Sequence, residues 1–296
     1  MRSGFVSLIG RPNTGKSTLI NALVGYKIAI TSNKAQTTRN NIQGIYNDED
    51  AQIVFVDTPG IHKPKDKLGQ RLNDDAYFSI DDVDIILFLI DVTMPFGKGD
   101  NFVLDRIKEA NKPVFLILNK VDKINNEKLI ELINKYKDLY DFKEIIPISA
   151  LKEKNLKELI KTLKEYLPDK VKYFPDSDLT NTTKEFRVSE LIREKVLRLT
   201  HDEVPHAITC VVEKFDEKKD KAIINATIIV ERDSLKSIII GKKGSMLKEI
   251  GTKARHDIED MLGKKVYLEL FVKTIKNWRD KEKYLKELGF YDIDEE

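Results

Sequence analysis

Residues 10–17 read GRPNTGKS, and they fit the pattern G-x-x-x-x-G-K-[ST]. An apolar run at residues 5–9 precedes them and reads as a strand; residues 18–24 follow and read as a helix. Strand, glycine loop and helix start, in that order, make a phosphate-binding loop. Gly10 and Gly15 let backbone N–H groups turn toward an anion, and the helix dipole adds positive charge at the same point. Asn13 and Thr18 belong to the same cradle. Lys16 is placed to reach β- and γ-phosphates, and the Ser17 hydroxyl to ligate Mg²⁺.

The chain has 296 residues, which predicts about two domains. A hydrophobic content of 41% is enough for real cores, and a charged content of 34% is nearly balanced at +2 net. No apolar run is long enough for a membrane-spanning helix. The first strand begins almost at once after Met1, so no signal peptide is expected. Cys210 is the single cysteine and rules out an internal disulfide. It is expected in a strand of a protein kept in a reducing compartment, with the cytoplasm as the default.

Residues 1–167 alternate strand-like runs (5–9, 53–56, 84–90, 113–118, 145–148) with helix-compatible stretches such as 98–110, 126–139 and 155–166. That alternation predicts an α/β domain, a mostly parallel sheet covered by helices. Residues 42–47 and 51–57 read as a hairpin, which makes one strand antiparallel. Residues 168–183, with two prolines and many small polar residues, read as a linker. From 184 to 296 the order changes to an α+β module. It has a helix at 184–200, strands at 207–215 and 221–231, helices at 234–240 and 244–262, a strand at 265–273 and a closing helix at 276–288. The acidic end, Asp292 to Glu296, reads as a solvated tail.

Three further segments follow the phosphate loop. Asp57-Thr58-Pro59-Gly60 ends an apolar strand, where Asp57 can hold Mg²⁺ through water and the Gly60 N–H can approach a γ-phosphate. Asn119-Lys120-Val121-Asp122 ends another. The Asp122 carboxylate can accept from guanine N1–H and its 2-amino group, a pair of donors that adenine lacks. Asn119 would tie this loop to the phosphate loop, and the Lys120 stem would cover the base. Ser149-Ala150-Leu151 ends the sixth strand and can offer the Ala150 N–H to guanine O6. Each segment stands where ligands bind in such sheets, at the carboxyl edge.

These motifs (GRPNTGKST, QTTR, DTPG, NKVD, SAL) resemble the translation-factor-related GTPases, and their wording is similar to the Era-type branch. The resemblance implies GTP hydrolysis with Mg²⁺, and makes residues 31–45 the first switch. Either Thr37 or Thr38 of Gln36-Thr37-Thr38-Arg39 would then ligate the metal, with Thr38 favoured. Lys16, Thr38, Asp57 and Gly60 form the implied catalytic set. Ile61 stands where Ras-like enzymes carry a glutamine that orients water. An isoleucine cannot hydrogen-bond water, so another group must place it. In related GTPases an asparagine at the Asn13 position accompanies a K⁺ ion; the alternative is a local loop-capping hydrogen bond.

Residues 238–251 read IIIGKKGSMLKEIG. Gly241-Lys242-Lys243-Gly244 is a G-x-x-G between helix-like flanks, followed by a basic helix that includes Lys248. Glycine allows close approach of a nucleic-acid backbone and lysine adds charge. From 232 to 265 nine basic residues stand against five acidic ones, so the basic footprint is one face. The loop and the order helix–strand–strand–helix–helix–strand resemble a type II KH domain, whose G-x-x-G loop clamps single-stranded RNA. Trp278 can stack on a base or pack within the terminal helix. The four histidines show no metal-ligand spacing.

A GTPase domain followed by a KH domain resembles the Era family of bacterial GTPases over nearly the whole chain. That resemblance implies a monomer acting in small ribosomal subunit assembly. It also implies binding near the 3′ end of 16S ribosomal RNA, and peripheral contact with the inner membrane surface. Two other readings compete. One is a membrane-signalling GTPase whose second domain binds protein; a hydrophobic groove without a basic face would favour it. The other is an RNA-binding module in which nucleotide only stabilises the fold; the intact Lys16, Ser17, Thr38 and Asp57 set argues against it.

Overall fold

A computed structural model describes residues 1–34 and 36–290 and divides them into two units. The predicted acidic tail at 292–296 lies outside the described residues. The first unit carries β1 (Arg2–Ile9), α1 (Lys16–Val24), β2 (Ile42–Asn47), β3 (Ala51–Asp57), most of α2 (Lys67–Asp81), β4 (Ile85–Asp91), α3 (Lys98–Lys108), β5 (Val114–Asn119), α4 (Asn126–Tyr136), β6 (Glu144–Ile148) and α5 (Leu156–Tyr166). The sheet order is β2-β3-β1-β4-β5-β6. All pairs are parallel except β2 with β3, the predicted hairpin. Every residue of β3, β4 and β5 is buried. This is why they read as continuous apolar runs: a parallel strand covered on both faces has no polar side. Pro147 falls in β6, an edge strand, where its missing N–H costs the ladder least. β1 lies between β3 and β4, so the loop that leaves it opens at the point where the strand order reverses.

The stretch expected as a linker does more than connect. Residues 168–181 cluster with the first unit. The Ser3 N–H donates to the Pro168 carbonyl at 3.1 Å, and the Lys170 N–H to the Met1 carbonyl at 3.1 Å. Gln52 is fully buried. Its Nε2 donates to Asn47 Oδ1 and to the Phe174 carbonyl, both at 2.8 Å, and its Oε1 accepts the Tyr173 and Phe174 N–H groups at 2.7 and 3.0 Å. The Ile45 N–H of edge strand β2 donates to the Leu179 carbonyl at 3.0 Å. Prolines keep this stretch out of helix and sheet, yet its backbone groups still need partners, and the sheet margin supplies them.

The second unit carries α6 (Lys184–Leu199), β7 (Ile208–Glu217), β8 (Lys221–Val230), α7 (Asp233–Ile240), α8 (Ser245–Leu262), β9 (Lys265–Thr274) and α9 (Glu282–Glu287). Thr183 caps α6, its Oγ1 accepting the Phe186 N–H at 3.2 Å. The order helix–strand–strand–helix–helix–strand is the expected one, and the sheet runs β7-β8-β9, antiparallel then parallel. Val188, Ile192 and Val196 of α6 meet Ile224, Ala226 and Ile228 of β8 and Ile250, Ala254 and Ile258 of α8 in one core. Cys210 is buried in β7. This unit also takes in residues 30–37 and 66–68, which the sequence reading assigned to the first domain. Within it the buried Arg193 pairs with both oxygens of Glu190 at 2.7 Å and donates to the Gln36 and Thr37 carbonyls.

The single closing helix predicted at 276–288 is instead broken. Asn277 takes a left-handed backbone (φ 53°), a 3₁₀ turn spans Trp278–Asp280, and only α9 follows. Trp278 is fully buried, its Nε1–H donates to the Ala207 carbonyl at 3.3 Å, and its ring stacks on Phe290 at 6.1 Å. It is a packing residue and cannot meet a base. Trp278→Ala should therefore cost about 3–5 kcal/mol of stability. Urea unfolding followed by circular dichroism checks this; a loss below about 1 kcal/mol would show that the pocket collapses around the missing ring.

Candidate nucleotide and nucleic-acid sites

The phosphate loop joins β1 to α1. Gly15 sits at the helix start with φ 100°, and no side chain caps the N-terminal N–H groups of α1. They stay available to an anion. A Cβ at Gly15 would collide with Asn119 Nδ2, and one at Gly60 would lie 2.7 Å from the Pro12 nitrogen. Both positions need glycine because backbones and loops approach there. Asn13 is exposed and left-handed (φ 68°), a conformation asparagine tolerates.

Lys16 is buried, and its Nζ donates to the Gly10 and Arg11 carbonyls at 3.1 Å each. Burial pulls its ammonium down from 10.5 to about 8, against the opposing pull of Asp57. Ser17 Oγ lies 2.8 Å from Thr38 Oγ1 and donates to Asp57 Oδ2 at 2.7 Å; Thr38 Oγ1 donates to the same oxygen at 3.2 Å. Asp57 is fully buried and its Oδ1 has no hydrogen-bond partner. Burial pushes its carboxyl above the usual range, opposed by Lys16, Ser17 and Thr38. Two hydroxyls and a buried carboxylate oxygen with nothing to bind are a hard-oxygen donor set, and they fit Mg²⁺. Thr37 turns elsewhere: its hydroxyl donates to the Lys34 carbonyl at 2.7 Å. The geometry brings Thr38, of the two, to Ser17 and Asp57. Ile61 is 1% exposed and packs with Ile9, Ala76 and Ile80.

The base-side loops converge on Asn119. Its Nδ2 donates to the Thr14 carbonyl at 2.8 Å, and its Oδ1 accepts the Lys120 and Ala150 N–H groups at 2.8 and 3.0 Å. The tie to the phosphate loop is the one expected. The Ala150 N–H, expected to face guanine, is directed at Asn119 Oδ1, because a buried donor is costly to leave unpaired. Lys120 Nζ donates to the Asn13 carbonyl at 2.9 Å and to Asp91 Oδ2 at 2.5 Å. Asp91 is absent from the sequence reading, though it ends β4 in register with Asn119. Burial would raise its carboxyl, but hydrogen bonds from Lys120 and Thr93 prevail and lower it. Asp122 stands exposed in a 3₁₀ turn and accepts the Ser149 hydroxyl at 2.6 Å, which lowers its pKa. Leu151 beside them is exposed.

In the second unit Gly241 and Gly244 both have positive φ, 70° and 80°. A Cβ at Gly241 would lie 2.7 Å from that of Met246. Lys242 and Lys243 are exposed between them, and α8 starts at once with no side-chain cap. A groove of about 390 Å³ runs from Gly244 along α8, past Leu247, Lys248, Gly251, Thr252 and Arg255, to Leu268 and Leu270 of β9. Its floor is apolar and its rim basic. Lys242, Lys243, Lys248 and Arg255 form no ion pair with another described residue. The sequence reading missed the apolar floor and counted Arg255 only within the basic face, although 244, 248, 251 and 255 recur at helical spacing on one face.

A 50S ribosome-binding GTPase family model matches residues 5–120, and a KH domain model matches residues 203–279. The chain is 42% identical, with a TM-score of 0.96, to a variant of Aquifex aeolicus Era bound to GDP·AlF4⁻; the match covers 99% of this chain and 100% of that one. A structure of Era in complex with MgGDPNP and nucleotides 1506–1542 of 16S ribosomal RNA gives the same identity, coverage and TM-score. Fold and sites thus define a phosphate-loop GTPase carrying a KH domain. Within that class the chain belongs to the Era family.

Lys16 sets a pH dependence. A phosphate needs the charged ammonium, whose pKa is about 8 before binding. Phosphate binding raises that pKa, so the complex takes up a proton, and affinity is lost as pH rises through the free value. GDP affinity should fall between about pH 7.5 and pH 9.5, at most about tenfold per unit. Calorimetry in buffers of different ionisation enthalpy measures the proton. Constant affinity with no uptake would mean the lysine stays charged throughout.

Proposed function

We propose that this chain is a GTP-hydrolysing switch that binds small-subunit ribosomal RNA through its KH domain and acts in assembly of the small ribosomal subunit. The observation that carries the first half is the meeting of Ser17, Thr38 and Asp57 beside Lys16. Ser17, Thr38 and Asp57 would hold Mg²⁺, which when bound neutralises charge on the β- and γ-phosphate oxygens. Lys16 adds a buried positive charge where the transferred phosphoryl develops charge, and the bare N-terminus of α1 adds N–H donors. Gly60 lets the strand end lie against Pro12 of the phosphate loop, where its N–H would serve the γ-phosphate. Ile61 is committed to the core, so the attacking water is oriented by another group. Asn13 is the residue we assign to a K⁺ contact. Asp122, held by Ser149, reads guanine; Asn119, Lys120, Ala150 and Leu151 frame the base.

Gly241, Lys242, Lys243, Gly244 and Lys248 are the RNA contacts. The target is the 3′ region of 16S ribosomal RNA, the segment carried by the Era complex above. The apolar groove floor is the feature a protein-binding, membrane-signalling GTPase would use; the basic rim favours RNA. No helix among the described residues is long and apolar enough to cross a membrane. We place the protein in the cytoplasm as a monomer, and any membrane contact would be peripheral, resting on basic surface.

Asp122→Asn reverses the donor–acceptor match. It should weaken GTP binding and favour xanthosine triphosphate, a discrimination of about 1–3 kcal/mol. An unchanged preference in competition refutes the assignment. Exchanging K⁺ for Na⁺ should slow hydrolysis by the intact protein and hardly affect Asn13→Ala; equal rates of the intact protein in both salts remove the K⁺ role. Changing Lys242 and Lys243 together to Asp should weaken binding of single-stranded ribosomal RNA. It should also flatten the salt dependence by about 1.4 in log–log slope, two contacts at about 0.7 each. GTP hydrolysis should survive. Undiminished RNA affinity in that variant sinks the assignment.

A further inference from the structure

β9 is a wall with two sides. Val266, Leu268, Leu270 and Val272 turn to the core and groove. By the two-residue period of a strand, Lys265, Tyr267, Glu269, Phe271 and Lys273 lie on the opposite face. Two large rings there are open to solvent: Tyr267 is 63% exposed and Phe271 47%. They stand four residues apart, about 13 Å along the strand. β9 pairs only with β8 among the described strands, so its other edge is free. That free edge borders the groove between α8 and β9. A single strand seated in the groove runs beside it, and its next nucleotides can pass around it to the back of the sheet.

We propose that Tyr267 and Phe271 form a stacking platform for bases of single-stranded RNA that extend past the groove. The proposal rests on the RNA-binding reading above and lengthens the site it describes. Aromatic rings on a sheet take bases of any sequence, because every base offers a π-face. The register places Lys221 beside Lys265, and Lys214 in the row of Asn225 and Glu269. Lys214, Lys221, Lys265 and Lys273 form no ion pair with another described residue. The carboxylates of this face are partly engaged: Glu213 accepts the Thr227 hydroxyl at 2.8 Å, and Asp216 lies 3.7 Å from Lys218 Nζ. Glu269 sits between the rings. With lysines and carboxylates so nearly balanced, stacking rather than charge supplies the added affinity.

The test uses the full chain and two single-stranded RNAs, one of about four nucleotides to fill the groove and one of about twelve. Tyr267→Ala and Phe271→Ala should each weaken the long RNA at least about fivefold and leave the short one unchanged. Tyr267→Phe, which keeps the ring, should bind both as the intact protein does. Unchanged short-RNA affinity also reports that each variant is folded. Long-RNA affinity that survives both alanine changes overturns the platform. So does equal weakening of both RNAs, which marks a structural role. Variants that keep RNA affinity but no longer co-sediment with small subunits stripped of that RNA segment would assign the face to protein instead. An intact protein that binds neither RNA overturns the RNA reading itself, and with it this extension.

Discussion

The Asn119 side chain holds three loops with one amide. It binds the Thr14 carbonyl of the phosphate loop, the Ala150 N–H of the base-side loop and the N–H of its own neighbour Lys120. Its Nδ2 fills the space that a Cβ on Gly15 would need. The close approach of β5 and β1 ends therefore depends on a glycine and an amide fitted to each other. Replacing either would leave buried polar groups unpaired or force the loops apart. Phosphate and base sites are thereby fixed at one spacing before any ligand arrives.

The two glycine motifs solve one problem twice. Gly15 before α1 and Gly244 before α8 both take left-handed backbones, and neither helix has a side-chain cap. In each case N–H groups at a helix start stay open to phosphate. The lysines differ in a way that fits the ligands. Lys16 is buried, and so is suited to one phosphate group in one place. Lys242 and Lys243 are solvated, and so are suited to a backbone that can slide and exchange counterions.

Most of the fold could be read because buried strands such as β4 and β5 leave long apolar runs. The nucleotide motifs could be read because phosphate chemistry demands glycine and lysine at fixed spacing. Other features were hidden for identifiable reasons. In α2 the buried apolar residues Leu68, Leu72, Ala76 and Ile80 recur once per turn among mostly polar neighbours. The docked course of residues 168–181 depends on Gln52, a distant polar residue that composition assigns to the surface. The groove floor needs Leu268 and Leu270 from a strand far along the chain, and no local pattern announces that pairing. Asn277 breaks the closing helix by a backbone angle that its side chain merely permits.

The buried indole described above is also the chain's only tryptophan. Its ring lies in the second unit, sealed against Phe290 and bonded to a carbonyl near the start of β7. The nucleotide-binding unit has none. Intrinsic emission excited at the red edge of the absorption band therefore comes from one half of the protein alone. The molecule carries a built-in optical label for its RNA-binding half, and loss of order there can be followed separately from the far-ultraviolet signal that both halves share.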